Sequence, residues 1–281
     1  MPAVLYVVAT PIGNLGDASP RSLEALRAVA VIACEDTRVT RTLLGRFGIQ
    51  AELATLQKHN ERAATAKLME LLRTGRDVAL VSDAGTPGVS DPGALLVEEA
   101  HRAGVKVVPI PGPSAVAAAL SASGFPAPQF FFAGFLPASP PARRKALEAL
   151  EDGPWPILFY EAPHRIREAL ADLERRFGPA REVVICRELS KKFEEVARLP
   201  LGEARAWLDA AAHREQGEFV LVLAPGVASE RAPAVDPEEV LARLMTKLSP
   251  SDAAKLAAQI TGAPRNELYR KALARAAPGG K

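Results

Sequence analysis

The sequence predicts an α/β protein: two sheet-based domains followed by a small helical one. Three observations predict this. Short apolar runs alternate with helical patterns over the first 112 residues. Strand-like runs continue from 113 to 226 in a different rhythm, opening with an aromatic-rich one. From residue 237 to 281 only short helical patterns remain. The expected domains are therefore 1–112, 113–226 and 237–281, with the first boundary falling near Pro111–Pro128.

In the first domain, Val4–Ala9 is a strand candidate stopped by Thr10-Pro11-Ile12-Gly13-Asn14. Ser19-Pro20 opens a helix, since serine caps an N-terminus and proline suits the first turn. Leu23, Leu26 and Ala30 share one of its faces. Val29–Cys34 is a second strand, ending at Glu35-Asp36-Thr37-Arg38. Arg62–Thr74 is a helix, Asp77–Ser82 a strand, Ala94–Ala103 a helix closed by Gly104, and Val105–Ile110 a strand. Nearly all-apolar strands suit a mostly parallel sheet covered on both faces. Ligands of such sheets bind beyond the carboxyl ends of the strands. That selects the loops Thr10–Gly16, Glu35–Arg41, Asp83–Gly93 and Pro111–Ala115.

In the second domain, Phe130–Phe135, Pro156–Glu161, Glu182–Arg187 and Phe219–Ala224 read as strands, and Ile166–Phe177 as a helix. Pro137–Pro141 reads as a loop leading into basic Arg143-Arg144-Lys145. A mixed sheet with fewer helices between its strands is expected. Val227–Asp236 has the composition of a linker. Three short helices follow: Pro237–Leu248, one capped by Ser249 and running to about Thr261, and Arg265–Ala276. The pair around Gly262 resembles a helix-turn-helix unit.

The composition limits the function. The 281 residues are 48% hydrophobic and 24% charged, as in soluble globular proteins. Thirty-five Lys and Arg against 33 Asp and Glu leave a net charge of +2. That excludes a surface basic all over, but not a local basic face. From Asp236 onward, 8 basic and 5 acidic residues give +3. No apolar run approaches the roughly 20 residues of a membrane helix. The start, Met1-Pro2-Ala3-Val4-Leu5-Tyr6, lacks the basic region of a secretory signal, so a cytoplasmic location is expected. Cys34 and Cys186 read as small buried thiols. His59, His101, His164 and His213 lack metal-ligand spacing, and no metal is expected. The glycine fingerprint of dinucleotide binding, the phosphate-binding P-loop and the serine hydrolase elbow are all absent.

The strongest signal is Ser82-Asp83-Ala84-Gly85-Thr86-Pro87-Gly88-Val89-Ser90-Asp91-Pro92-Gly93. Its small residues let a ligand approach the main chain. Pro111-Gly112-Pro113-Ser114-Ala115 lies one strand later, and two such loops at one sheet edge make a cleft.

Together with Thr10-Pro11-Ile12-Gly13-Asn14-Leu15, these loops resemble the tetrapyrrole methylase superfamily, whose members take methyl groups from S-adenosylmethionine. A narrower set comprises Ala33-Cys34-Glu35-Asp36-Thr37-Arg38, Lys58-His59-Asn60-Glu61, Phe159-Tyr160-Glu161-Ala162-Pro163-His164-Arg165 and Arg187-Glu188-Leu189-Ser190-Lys191. This set resembles the bacterial small-subunit ribosomal RNA methyltransferases of that superfamily. The likeness runs from about residue 3 to 276 and includes Asn266-Glu267-Leu268-Tyr269. It departs at Ser190, where threonine is expected; both carry a hydroxyl.

The resemblance implies a two-domain tetrapyrrole-methylase-like fold with S-adenosylmethionine in the cleft. It implies cofactor contacts from Pro11, Ala84, Gly85, Thr86, Val89, Ser114 and Ala115, with Tyr160 and Pro225 closing the site. It further implies methylation of a cytidine ribose 2′-hydroxyl in the decoding region, on free RNA or an assembled small subunit, by a homodimer. A hydroxyl is a weak nucleophile, so a base is expected among Asp36, His59, Glu161 and Glu188. Arg38, Arg165 and Lys191 are expected phosphate contacts. Glu35, Asp36 and Arg38 read equally as a structural ion pair at a helix start. Two other readings stay open: a tetrapyrrole or corrinoid precursor methyltransferase, and a non-catalytic RNA-binding assembly factor.

Overall fold

Two five-stranded sheets dominate the structure, a computed structural model that describes residues 3–226 and 236–276. The chain divides after Pro225 into two compact units, and the first holds both sheets. Most of the linker expected at Val227–Asp236 lies outside the described residues.

The first sheet contains β1 (Val4–Val8), β2 (Val31–Cys34), β3 (Glu52–Thr55), β4 (Val78–Leu80) and β5 (Lys106–Ile110). Their order is β3-β2-β4-β1-β5, and every pairing is parallel. Four helices link them: α1 (Pro20–Ala28), α2 (Thr37–Arg46), α3 (Glu61–Arg73) and α4 (Ala94–Arg102). The all-apolar strands are explained by two cores. Leu5, Ala33 and Leu80 pack on one face with Leu68 and Leu96 of α3 and α4. Val8, Ile32 and Ala79 pack on the other with Leu26 and Leu44 of α1 and α2. Because all five strands run the same way, their carboxyl ends meet at one edge.

Ser19 caps α1 as its sequence predicts, accepting from the Ser22 N–H at 3.0 Å. Two elements lacked a sequence signal. The expected loop at Glu35–Arg41 is in fact the start of α2, where the Asp36 carboxylate caps the Arg38 N–H at 2.8 Å. The edge strand β3 is only four residues long, too short for alternation to register.

The second sheet contains β6 (Phe131–Phe135), β7 (Ile157–Glu161), β8 (Glu182–Arg187), β9 (Glu195–Pro200) and β10 (Phe219–Leu223), in the order β6-β7-β10-β8-β9. It is mixed, as expected: β6 and β7 are parallel and the remaining pairings are antiparallel. Helices α5 (Ala115–Ser123), α6 (Pro140–Ala149), α7 (Ile166–Phe177) and α8 (Leu201–Asp209) accompany it, more than the sequence indicated. Pro140 and Pro141 gave the appearance of a loop. They instead open α6 behind the Ser139 cap, where their missing N–H groups cost nothing. Val116 and Ala119 of α5 cover one face of this sheet, and α6, α7 and α8 cover the other.

In the last unit, α9 (Pro237–Met245), α10 (Pro250–Thr261) and α11 (Arg265–Ala276) bury Leu241, Ala253, Ala257, Leu268 and Ala272 among themselves. Ser249 caps α10, and Lys271 of α11 donates to Glu238 of α9 at 2.9 Å.

One ion pair in the first unit is buried. Arg143 of α6 donates to Asp172 of α7 at 2.7 Å, and the two residues are 1% and 6% exposed. Removing one partner leaves an uncompensated buried charge. Arg143→Met is therefore expected to cost about 3 kcal/mol of unfolding free energy in urea denaturation. The double variant Arg143→Met with Asp172→Leu should recover most of that loss.

Candidate active site

At the shared carboxyl edge of the first sheet, three loops are tied together by hydrogen bonds. Thr10 and Gly85 form a small antiparallel bridge, with N–H to O distances of 2.9 and 3.0 Å. The Thr10 hydroxyl donates to the Ser82 carbonyl at 3.1 Å, and the Ser82 hydroxyl to the Gly85 carbonyl at 3.1 Å. The Thr86 hydroxyl then reaches the Pro113 carbonyl of the third loop at 3.1 Å. Gly85 is required here: its φ is +86°, and a Cβ would sit 3.3 Å from Ile12 Cγ2.

The loops form one wall of a cavity of about 250 Å³. They contribute Ile12, Asp83, Ala84, Gly85, Thr86, Val89, Ser90, Asp91, Ser114 and Ala115. The facing wall is the edge of the second sheet, where the ends of β6 and β7 meet the start of β10. It brings Phe135, Tyr160, Glu161, Phe219 and Val220, with Cys186, Leu189 and Glu218 beside them. Phe132 and Phe135 meet the Tyr160 ring edge-on, at centroid distances of 4.8 and 5.4 Å, and fix its place. Ser114 caps α5, so the positive end of that helix opens on the same space.

The sequence-predicted contacts Ala84, Gly85, Thr86, Val89, Ser114, Ala115 and Tyr160 all line this cavity, as does Glu161. Pro11 does not; its neighbour Ile12 does. Pro225 follows the far end of β10, because that strand runs antiparallel to β7 and leaves the cavity as it proceeds. Asp36, His59 and Glu188 are not on the wall. His59 borders a separate depression with Lys58, Glu61 and Arg62. The wall residues Asp83, Asp91, Phe135 and Phe219 were missed as site residues. For Asp83 and Asp91 the loop itself was the available signal. For Phe219 no signal existed, since the sequence does not give the direction of β10.

Ionic partners separate the charged candidates. Asp36 holds Arg38 at 2.6 Å, which brings its carboxyl down to about 2. The Glu161 Oε1 atom accepts from Arg165 Nε and the Ala162 N–H, both at 2.8 Å, while its Oε2 is buried without a partner. Lys191 bridges Glu188 at 2.8 Å and Glu218 at 3.0 Å. Burial alone would raise the Glu188 carboxyl, but its bonds from Lys191 and the Glu218 N–H hold it below the usual range. Arg165 and Lys191 are thus committed to carboxylates, and only Arg38 of the expected phosphate contacts stands well exposed.

Asp91 differs from all of these. Among the described residues it makes no ion pair. Burial, then the charges of Glu35 and Asp83, push its carboxyl up to about 6. Burial also raises Tyr160, aided by Asp91, to about 12. A cavity with small-residue backbone, apolar side walls, unpaired carboxylates and a helix N-terminus suits a small, partly apolar ligand that carries positive charge.

The shift of Asp91 has a consequence for stability. A carboxyl with a raised folded-state pKa binds its proton more tightly when folded, so stability falls as pH rises from about 4 through 6. Asp91→Asn should therefore raise the melting temperature at pH 8 and leave it unchanged at pH 3.5. After screening is allowed for, the gain should be about 1–2 kcal/mol. Scanning calorimetry at both pH values measures it.

Comparison with known proteins follows the same geometry. Residues 4–205 match the family model described as tetrapyrrole (corrin/porphyrin) methylases, and residues 231–276 match the RsmI C-terminal HTH domain. The ribosomal RNA small subunit methyltransferase I of Pseudomonas aeruginosa is 48% identical, covering 96% of this chain and 97% of that protein. The protein of the same name from Escherichia coli O157:H7 is 46% identical, covering 96% and 94%. Among solved structures, a uroporphyrin-III-C-methyltransferase from Thermus thermophilus superposes with a TM-score of 0.56 at 21% identity, covering 80% of this chain and 96% of that one. A diphthine synthase gives 0.57 at 19% identity, covering 79% and 90%. A further uroporphyrin-III C-methyl transferase from Thermus thermophilus, at 0.54 and 18%, was solved in complex with S-adenyl homocysteine. The two sheets, the three tied loops and these likenesses lead to one conclusion: the chain belongs to the tetrapyrrole methylase family, in the group of ribosomal RNA small subunit methyltransferase I proteins.

Proposed function

We propose that this protein uses S-adenosylmethionine to methylate small-subunit ribosomal RNA, at the 2′-hydroxyl of a cytidine ribose in the decoding region. The observation that carries the reading is the cavity formed where three tied small-residue loops face the apolar edge of a second sheet. Near full-length likeness to proteins named for that RNA supports the substrate.

The residues fit the cofactor. Ala84, Gly85, Thr86 and Ala115 offer backbone groups to its polar ends, and Val89 and Tyr160 flank an aromatic ring. The Ser114-capped helix end suits a carboxylate, while Asp83, Asp91 and the unpartnered Glu161 Oε2 suit positive charge. Bound there, S-adenosylmethionine supplies a methyl group already activated by its sulfonium. The protein's own task is then alignment of the incoming hydroxyl and exclusion of water, which can account for a large share of the barrier. Arg165 and Lys191 act by fixing Glu161, Glu188 and Glu218 rather than by free phosphate contact. Arg38, and the basic helical unit beyond Asp236, remain for the RNA backbone. A homodimer in the cytoplasm completes the reading. Among the described residues no helix is long and apolar enough to cross a membrane.

Methylation of a tetrapyrrole needs a broad apolar trough. Of the Phe130–Phe135 run only Phe135 reaches the cavity, while Phe130 and Phe132 border a different groove beside α5. That favours the RNA reading.

Deletion of the gene should remove one ribose 2′-O-methyl from the small-subunit RNA, and mass mapping of that RNA detects it. An unchanged modification map sinks the proposal. Saturable binding of S-adenosylmethionine in calorimetry separates an enzyme from a non-catalytic assembly factor.

Truncation after Gly226 tests the helical unit. RNA binding should weaken, more so as salt rises, with cofactor binding unchanged. Equal loss of both means that the unit supports the fold instead.

A further inference from the structure

We propose that Asp91 is the catalytic base of the methyl transfer, taking the proton of the attacking hydroxyl. This rests on the reading above and names a residue that the family resemblance did not supply. The sequence singled out Asp36, His59, Glu161 and Glu188 for this role, and the structure gives each of them other work. Asp36 caps α2 and holds Arg38. His59 borders another depression. Glu161 is anchored by Arg165, and Glu188 by Lys191.

Four carboxylates line the cavity: Asp83, Asp91, Glu161 and Glu218. Asp83 accepts the Asp36 N–H at 3.0 Å, Glu161 is bound to Arg165, and Glu218 to Lys191. Asp91 alone among them has no such partner within the described residues, so its oxygens are free for a substrate hydroxyl.

Its backbone is held firmly. Ser90 sits at φ +70°, a left-handed conformation uncommon for a residue with a side chain. Pro92 follows and restricts Asp91 to extended geometry. Ser90 Oγ lies 3.3 Å from where a Cβ on Gly134 would be, so the loop leans on the bulge of β6 in the opposite wall. Local strain of this kind persists where surroundings enforce it, commonly at functional positions.

The groups facing Asp91 set its proton affinity. Glu35 beyond β2 and Asp83 on its own loop raise it, Lys58 ahead of α3 lowers it, and Tyr160 lies across the cavity on β7. A base that ionises at about 6 is charged at neutral pH yet keeps more proton affinity than an ordinary aspartate. In the step itself the hydroxyl O–H bond breaks and its proton passes to the Asp91 carboxylate. The oxygen bonds the methyl carbon, and the electron pair of the broken carbon–sulfur bond stays on the sulfur of the methyl donor. No other reactant is needed.

The test compares full-length wild type, Asp91→Asn and Asp91→Glu. Calorimetry measures binding of S-adenosylhomocysteine, and single-turnover kinetics with small ribosomal subunits measure transfer from pH 5 to 9. Asp91→Asn should bind S-adenosylhomocysteine within about threefold of wild type yet transfer at least about 100-fold more slowly. Its residual rate should lose the wild-type decline below about pH 6, and Asp91→Glu should recover part of the rate. A rate for Asp91→Asn within threefold of wild type overturns the assignment. So does a loss of S-adenosylhomocysteine binding as large as the loss of rate, which makes Asp91 a cofactor contact. Wild-type protein that binds S-adenosylhomocysteine but methylates no ribosomal RNA overturns the functional reading, and this assignment with it.

Discussion

The bridge between Thr10 and Gly85 is the constraint on which the site depends. A parallel sheet brings the ends of β1, β4 and β5 together but does not order the loops that leave them. Main-chain pairing does so here, and Thr86 extends it to the third loop. Because backbone atoms make the pairing, they are unavailable to one another in any looser arrangement. The left-handed Gly85 lets Ile12 close over it, so one residue without a side chain decides how near two loops can come. Tyr160, Phe135 and the start of β10 then meet a wall that is already formed.

Electrostatics adds a second layer. Asp36, Glu161 and Glu188 each have a cation within hydrogen-bond reach. Glu35 and Asp91 have none among the described residues, and burial and each other's charge raise both. Paired carboxylates position the chain; unpaired ones hold stored repulsion that a positively charged ligand relieves. Proteins commonly keep such unfavourable charge at functional sites at some cost in stability. The division also explains why conspicuous cations in sequence motifs, such as Arg165 and Lys191, turn out to serve neighbouring carboxylates.

Much of the architecture was legible in the sequence because its signals are local. Ser19-Pro20 and Ser249-Pro250 start helices through capping that needs only adjacent residues. The unbroken apolar runs of β1, β2 and β4 announce strands buried on both faces. The three cleft loops were legible from their small residues, and Ala84, Gly85, Thr86, Val89, Ser114 and Ala115 do share one wall. What was not legible depends on distant partners. Edge strand β9 alternates only because one side packs against β8 and its neighbours. Helix α6 hides behind two prolines and a basic run whose Arg143 points into the core. Whether an arginine beside a glutamate is free or bound depends on which way both side chains point, which spacing alone does not fix.

The position of β10 governs how the molecule is made. The last strand of the sheet in sequence, it lies between β7 and β8 at the sheet's centre. Until residue 223 has left the ribosome, both of those strands keep an open edge, and such edges invite pairing with other chains. The wall formed by Phe219 and Val220 is also missing until then. The first sheet closes with β5 at Ile110, so half of the cavity wall can stand for as long as it takes to synthesise a further hundred or so residues. Ligand capture can therefore begin only as the second half is completed, and a chain that stalls before β10 presents a finished sheet beside an aggregation-prone one.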